Sequence, residues 1–189
     1  MEKFKKIVKI VAIIVPIAAA VAGIYVAVTK LIEKKKVALI PSPYWLSYPA
    51  MVHLAGGWVE YIETTEEDGF LITPAMLEES ILKYHPKLLI LNSPCNPTGQ
   101  AYDEIHLRAL AEVLRKYPEI TILWDNIYAH LTYGGYKHVE LTKVAPDLRS
   151  RIIVTGGFSK SFAMTGWRLG FAIADPERIK LMSTIQSHS

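Results

Sequence analysis

Four clusters of polar residues, each following an apolar stretch, carry the groups of this chain that could do chemistry. They are Pro43-Tyr44-Trp45, Asn92-Ser93-Pro94-Cys95-Asn96-Pro97-Thr98-Gly99, Asp125-Asn126-Ile127-Tyr128 and Gly156-Gly157-Phe158-Ser159-Lys160. Together they offer an amine for nucleophilic attack or proton transfer, a carboxylate, phenols, a carboxamide and aromatic faces. Taken singly, each has an ordinary explanation. An Asp after an apolar strand commonly caps or turns the chain, an aromatic after a proline packs in a core, and a Lys beside Ser and Gly is solvated. Their order along one chain is harder to set aside.

The elements that must position them follow from periodicity. Short apolar runs over residues 37–40, 58–63, 87–92, 120–125, 151–155 and 169–174 predict six strands. Residues 73–84 predict a helix with Thr73 as N-cap and Pro74 at its first position. Ile105, Leu107, Leu110, Ala111 and Leu114 recur at helical spacing within residues 103–116, and a further helix starts at Pro176. Strands alternating with helices predict an α/β fold with a mainly parallel sheet and flanking helices. In such sheets ligands bind outside the carboxyl ends of the strands, which is where the four clusters fall.

Those clusters and their surroundings resemble successive motifs of the class I/II, aspartate-aminotransferase-like family of fold-type I pyridoxal-phosphate (PLP) enzymes. The resemblance rests on Pro41-Ser42-Pro43-Tyr44-Trp45-Leu46-Ser47-Tyr48-Pro49, on residues 92–99, on Asp125 to Tyr128, and on Ser159-Lys160-Ser161-Phe162-Ala163-Met164-Thr165-Gly166-Trp167-Arg168. It runs from about residue 37 to residue 189, and the last motif is highly specific. The resemblance implies pyridoxal 5′-phosphate as cofactor and Lys160 as the catalytic lysine that joins its aldehyde and moves the substrate proton. It implies Asp125 at the pyridine nitrogen, Tyr128 and Asn96 on the ring's phenolic oxygen, and Trp45 stacked on the ring. Arg168 and Ser159 would hold the phosphate. Asn126 stands where many relatives have an acidic residue. Amino-group transfer between an amino acid and a 2-oxo acid is the implied activity, and family members are usually homodimers.

The family is usually about twice this length. Members carry a phosphate-binding helix end before the strand at residue 37 and, later, a smaller domain with an arginine for the substrate's α-carboxylate. Neither is visible, so the chain is expected to be a partial large domain, weakly active or inactive by itself. Two alternatives stand beside this reading: another fold-type I PLP enzyme such as a carbon–sulfur lyase, and a non-catalytic, membrane-tethered remnant.

The chain divides near residue 36. Residues 1–36 hold eight Lys against Glu2 and Glu33, whereas the remaining residues hold 13 basic and 16 acidic side chains. Residues 10–28 carry no charge across 19 positions. A helix of that length spans roughly 30 Å, the thickness of a bilayer's hydrocarbon core. The expectation is a hydrophobic, Lys-flanked anchor (1–36) holding a partial PLP domain (37–189) at the cytoplasmic side of a membrane. A cleaved signal peptide, or a helix packed on the sheet of a cytoplasmic protein, are the other readings of this segment. A mildly acidic body does not suggest nucleic-acid binding. The single Cys95 excludes an internal disulfide and has no evident catalytic partner. Nothing pairs His130 and His138 as metal ligands, so no metal site is expected.

Overall fold

A computed structural model describes residues 36–186 of the chain. The segment 10–28, read above as a membrane anchor, lies outside the described residues. Among the described residues, no helix is long and apolar enough to cross a membrane.

Six strands form one sheet: β1 (Val37–Ser42), β2 (Trp58–Glu63), β3 (Leu88–Asn92), β4 (Thr121–Asp125), β5 (Ile152–Gly157) and β6 (Gly170–Ile173). Their spatial order is β2-β1-β3-β4-β5-β6. All pairs are parallel except β5 with β6. The helices are α1 (Ser47–Leu54), α2 (Pro74–Tyr84), α3 (Glu104–Arg115), α4 (Leu141–Val144), α5 (Phe158–Ser161) and α6 (Pro176–Gln186). A 3-10 helix, Pro146–Arg151, precedes β5.

Local chemistry accounts for the starts of α2 and α3. The Thr73 hydroxyl accepts from the Met76 amide at 3.2 Å, and Pro74 opens α2 where no intrahelical donor is needed. Asp103 caps α3 through the His106 amide at 2.7 Å. The sequence reading missed α1, the short α4 and α5, and the 3-10 helix.

The sheet is covered on both faces. On one face Leu89, Leu91, Ile122 and Trp124 pack with Leu77 and Ile81 of α2, Leu107 and Leu110 of α3, and Leu141 of α4. On the other, Ile40, Leu88, Ile90, Leu123 and Ile153 pack with Tyr48, Met51 and Val52 of α1 and Ile179 and Met182 of α6. Burial on both faces is why β3 and β4 are continuous apolar runs rather than alternating ones. Asn92, Asp125 and Thr155 pair across neighbouring strands, so the strand ends form one polar row at the sheet's carboxyl edge.

Candidate functional site

Asp125 ends β4 and is 3% exposed. Its strand alternation places it on the face that α1 covers, with Leu123 two residues earlier. There the Tyr48 hydroxyl, itself buried, donates to Asp125 Oδ2 at 2.6 Å, and the Ile127 amide donates to Oδ1 at 3.1 Å. Burial pushes the Asp125 carboxyl above the usual carboxylate range, while the hydrogen bonds from Tyr48 and Ile127 oppose it. The Tyr48 phenol is in turn driven well above its ordinary range by burial and by the adjacent Asp125 charge.

Tyr48 also links two residues singled out from the sequence. Trp45 meets its ring edge-on, with centroids 5.4 Å apart at 90°. Trp45 and Asp125 are thereby held to the same side chain. Sequence reasoning quoted Tyr48 within a motif but gave it no role. Its place at the start of α1, three residues after Trp45, is the signal that could have marked it.

Asn96 is positioned by the end of β3. Asn92 Nδ2 donates to the Asp125 carbonyl at 3.0 Å, and Asn92 Oδ1 accepts from the Asn96 amide at 2.8 Å. Thus Asn92 ties the loop of Asn96 to the strand of Asp125, a second role missed from the sequence. Gly99 closes that loop at φ 73°, a left-handed conformation that glycine adopts without penalty. Tyr128 is half-buried, and its phenol is raised first by burial and then by the Asp125 charge, with Asn96 acting against both.

Lys160 lies in α5, directly after β5. It is exposed, and its Nζ sits 5.8 Å from the centroid of the Tyr128 ring. The turn out of β5 needs its glycines. A Cβ on Gly157 would lie 2.9 Å from Ile127 Cδ1 and 3.0 Å from the Leu169 carbonyl oxygen. The close approach lets the Phe158 amide donate to the Leu169 carbonyl at 3.1 Å, holding the start of α5 against β6.

The structure therefore gathers Trp45, Asn96, Asp125, Tyr128 and Lys160 at one sheet edge. It treats the two predicted phosphate contacts differently. Among the described residues, no hydrogen bond joins the side chains of Ser159 or Arg168 to this group. Arg168 Nη1 donates instead to the Thr165 carbonyl at 2.7 Å, within its own loop. Arg168 and Ala163 both hold left-handed backbone, with φ 58° and 52°, which costs a non-glycine residue energy.

The donor set suits PLP. A buried carboxylate fits a pyridinium nitrogen, two hydrogen-bonding groups fit a phenolate, an indole fits a ring face, and an exposed amine fits an aldehyde. Among the described residues no ion pair of Asp125 with a Lys, Arg or His is present, so its charge is met by hydrogen-bond donors only.

Known proteins agree with this geometry. The family model for "Aminotransferase class I and II" matches residues 3–189, so it takes in the hydrophobic segment that the sequence reading had set outside the family. Aspartate aminotransferase of Geobacillus stearothermophilus is 42% identical over 167 residues, 88% of this chain and 42% of that protein. A probable aspartate/prephenate aminotransferase of Rickettsia felis is 42% identical over 158 residues, 84% of this chain and 38% of the relative. Among solved structures, aspartate aminotransferase of Rhizobium meliloti superposes with a TM-score of 0.87 at 36% identity, covering 90% of this chain and 42% of that one. Aromatic aminotransferase of Pyrococcus horikoshii also gives 0.87, at 31% identity, covering 96% and 47%. The chain thus spans about two fifths of the length of the curated relatives it matches. Members of this family use pyridoxal phosphate. With this sheet, this row of strand-end residues and these relatives, the chain belongs to the class I and II aminotransferases.

Proposed function

We propose that this chain carries the cofactor-holding part of a PLP-dependent aminotransferase, which moves an amino group from an amino acid to a 2-oxo acid. The observation that carries the reading is the buried Asp125 carboxylate, clamped by Tyr48 at 2.6 Å beside Tyr128, with Lys160 Nζ 5.8 Å from the Tyr128 ring. Bound PLP supplies an aldehyde that captures amines and a ring that accepts the electron pair released at the substrate's Cα.

Each residue has a defined task. Asp125 would hold the proton on the ring nitrogen, Tyr128 and Asn96 would donate to the phenolic oxygen, and Trp45 would cover one ring face. Arg168 and Ser159 would grip the phosphate once the Arg168 fork is released from the Thr165 carbonyl. Lys160 would supply the amine for the cofactor's aldehyde and the base that moves the proton at the substrate Cα. An amino acid, a 2-oxo acid and a second copy of the chain are the partners this reading requires. Borohydride reduction of the PLP-treated chain, followed by peptide mass mapping, should place the adduct on Lys160. An adduct on another lysine, or none at saturating PLP, removes Lys160 from this role.

For location we propose that residues 10–28 hold the chain at a membrane with the PLP domain in the cytoplasm. The uncharged 19-residue stretch between Lys-rich ends supports this. The second reading, a cytoplasmic chain with that segment packed on the domain, draws support from the family match beginning at residue 3. Under the first, the full chain stays with membranes through alkaline carbonate extraction and a version starting at Val37 does not. Release of both into the supernatant decides for the second.

A further inference from the structure

The segment that follows β4 leaves the sheet at Asn126 and runs to Glu140, the residue before α4. It is a loop of about 15 residues whose ends, Asn126 and Glu140, are joined by hydrogen bonds. Asp125 immediately precedes the loop and Tyr128 lies within it. His130, two residues further, has its ring 6.3 Å from that of Phe162, two residues beyond Lys160.

The neck is closed by side chains on the side of the sheet opposite Tyr48. Asn126 is 7% exposed, and its Nδ2 donates to Glu140 Oε1 at 2.7 Å and to Oε2 at 2.8 Å. His138 Nε2 lies 3.2 Å from the same Oε1, and the His138 ring stacks on Trp124 with centroids 6.3 Å apart at 28°. Glu140 precedes the first turn of α4, where a side chain would ordinarily cap the helix, yet it makes no capping bond there. Its carboxylate is turned to the loop neck instead.

We infer that Glu140 is a positioning residue, whose carboxylate, by gripping the Asn126 carboxamide across the loop neck, sets the placement of Asp125 and Tyr128 at the cofactor. The inference rests on the function proposed above. Its chemistry explains the residue at position 126. An acidic side chain there would set two carboxylates about 3 Å apart in a largely buried site, whereas a carboxamide supplies the donor that the pair requires.

The pair can be inverted without changing shape. Asn126→Asp and Glu140→Gln are each isosteric, and together they exchange amide and carboxylate while preserving one donor–acceptor pair. In the full chain, PLP affinity would be followed by absorbance titration, together with the absorbance band of the bound cofactor. Hydrogen–deuterium exchange across residues 126–140 would be followed without cofactor. Each single substitution should weaken PLP binding roughly five- to twentyfold, since each removes or repels one charge-assisted contact. Each should also shift the band and speed exchange in the loop. The double variant should return all three to within about twofold of the parent chain.

If the single variants change only the unfolding temperature, or if the double variant is no better than the worse single one, the positioning role is overturned. Tyr128→Phe separates this from the parent reading. Should Tyr128→Phe alter PLP affinity and band while Glu140→Gln alters neither, only the role of Glu140 falls. Should the chain bind no PLP, or Tyr128→Phe leave both readouts unchanged, the proposed function falls and takes this inference with it.

Discussion

Asp125 has to be buried and charged at once, and its neighbours show how that is arranged. Burial favours the neutral acid, so the carboxylate needs donors within the protein before a pyridinium can be bound. Tyr48 is the shortest of these, at 2.6 Å to Oδ2. Tyr48→Phe keeps the ring against Trp45 but removes the donor. The Asp125 carboxyl should then hold its proton to a higher pH, and PLP affinity should fall by about 1–2 kcal/mol, within the range for hydrogen bonds to charged groups. Infrared titration of the carboxyl and absorbance titration with PLP check the two halves. An unchanged carboxyl and an unchanged affinity would show that Tyr48 only fills space. The gathering of Lys160, Asp125, Tyr128 and Asn96 at the carboxyl edge of the sheet was legible because each lies at or just past a strand end within a specific motif. Tyr48 and Asn92 were not, since their roles are hydrogen bonds to Asp125 across 77 and 33 residues that no local pattern records.

At the level of elements, local chemistry was readable and geometry was not. The start of α2 stands where Thr73 predicts it, because a cap and the amide it binds are three residues apart, and Asp103 caps α3 in the same way at the start of the stretch whose periodicity predicts that helix. Helix α1 escaped notice because Pro49 reads as a breaker. It occupies the first turn, where a missing amide costs no intrahelical bond. The antiparallel sense of β6 depends on the return path through residues 158–169, which alternation along one strand does not encode. The same holds for the loop between β4 and α4, whose closure has a pH signature. Burial raises the Glu140 carboxyl, but hydrogen bonds from His138 and Asn126 outweigh it and hold the group below the usual range. A carboxyl depressed in the folded state contributes stability that is complete above its unfolded value, about 4.3, and is lost as pH falls through the folded value. Asp125 has the opposite sign: its raised carboxyl favours the fold most at low pH and less as pH rises through its folded value. Glu140→Gln should therefore be less stable than the parent chain at pH 7, with the gap closing as pH falls below about 4. Urea midpoints measured from pH 7 to pH 3 test this. A gap that stays constant would show that the Glu140 charge contributes nothing to the fold.

For the molecule as a whole, the site joins the two faces of the sheet. Tyr48 reaches Asp125 from α1 on one face, and Glu140, just before α4, reaches Asn126 on the other, with β4 between them. A ligand engaging Asp125, Tyr128 and Lys160 therefore holds elements from both layers, and its binding free energy should appear as stability of the entire fold. A ligand bound only by the folded chain at about 100 times its Kd adds roughly 2.7 kcal/mol. For a chain of this size each kcal/mol moves the unfolding midpoint by about 2–4 °C, so saturating PLP should raise it by roughly 5–10 °C. Pyridoxal, which has the aldehyde and ring but no phosphate, should give a smaller rise. The difference between the two ligands isolates the phosphate. Arg168→Lys keeps the charge but replaces the planar fork with a single ammonium, and should shrink that difference. Lys160→Ala should remove most of the PLP effect, because the covalent hold is gone. Equal shifts from PLP and pyridoxal in the parent chain would strike Arg168 and Ser159 from the site. A PLP shift confined to one of two separate unfolding transitions would show that the two layers are not joined through Asp125.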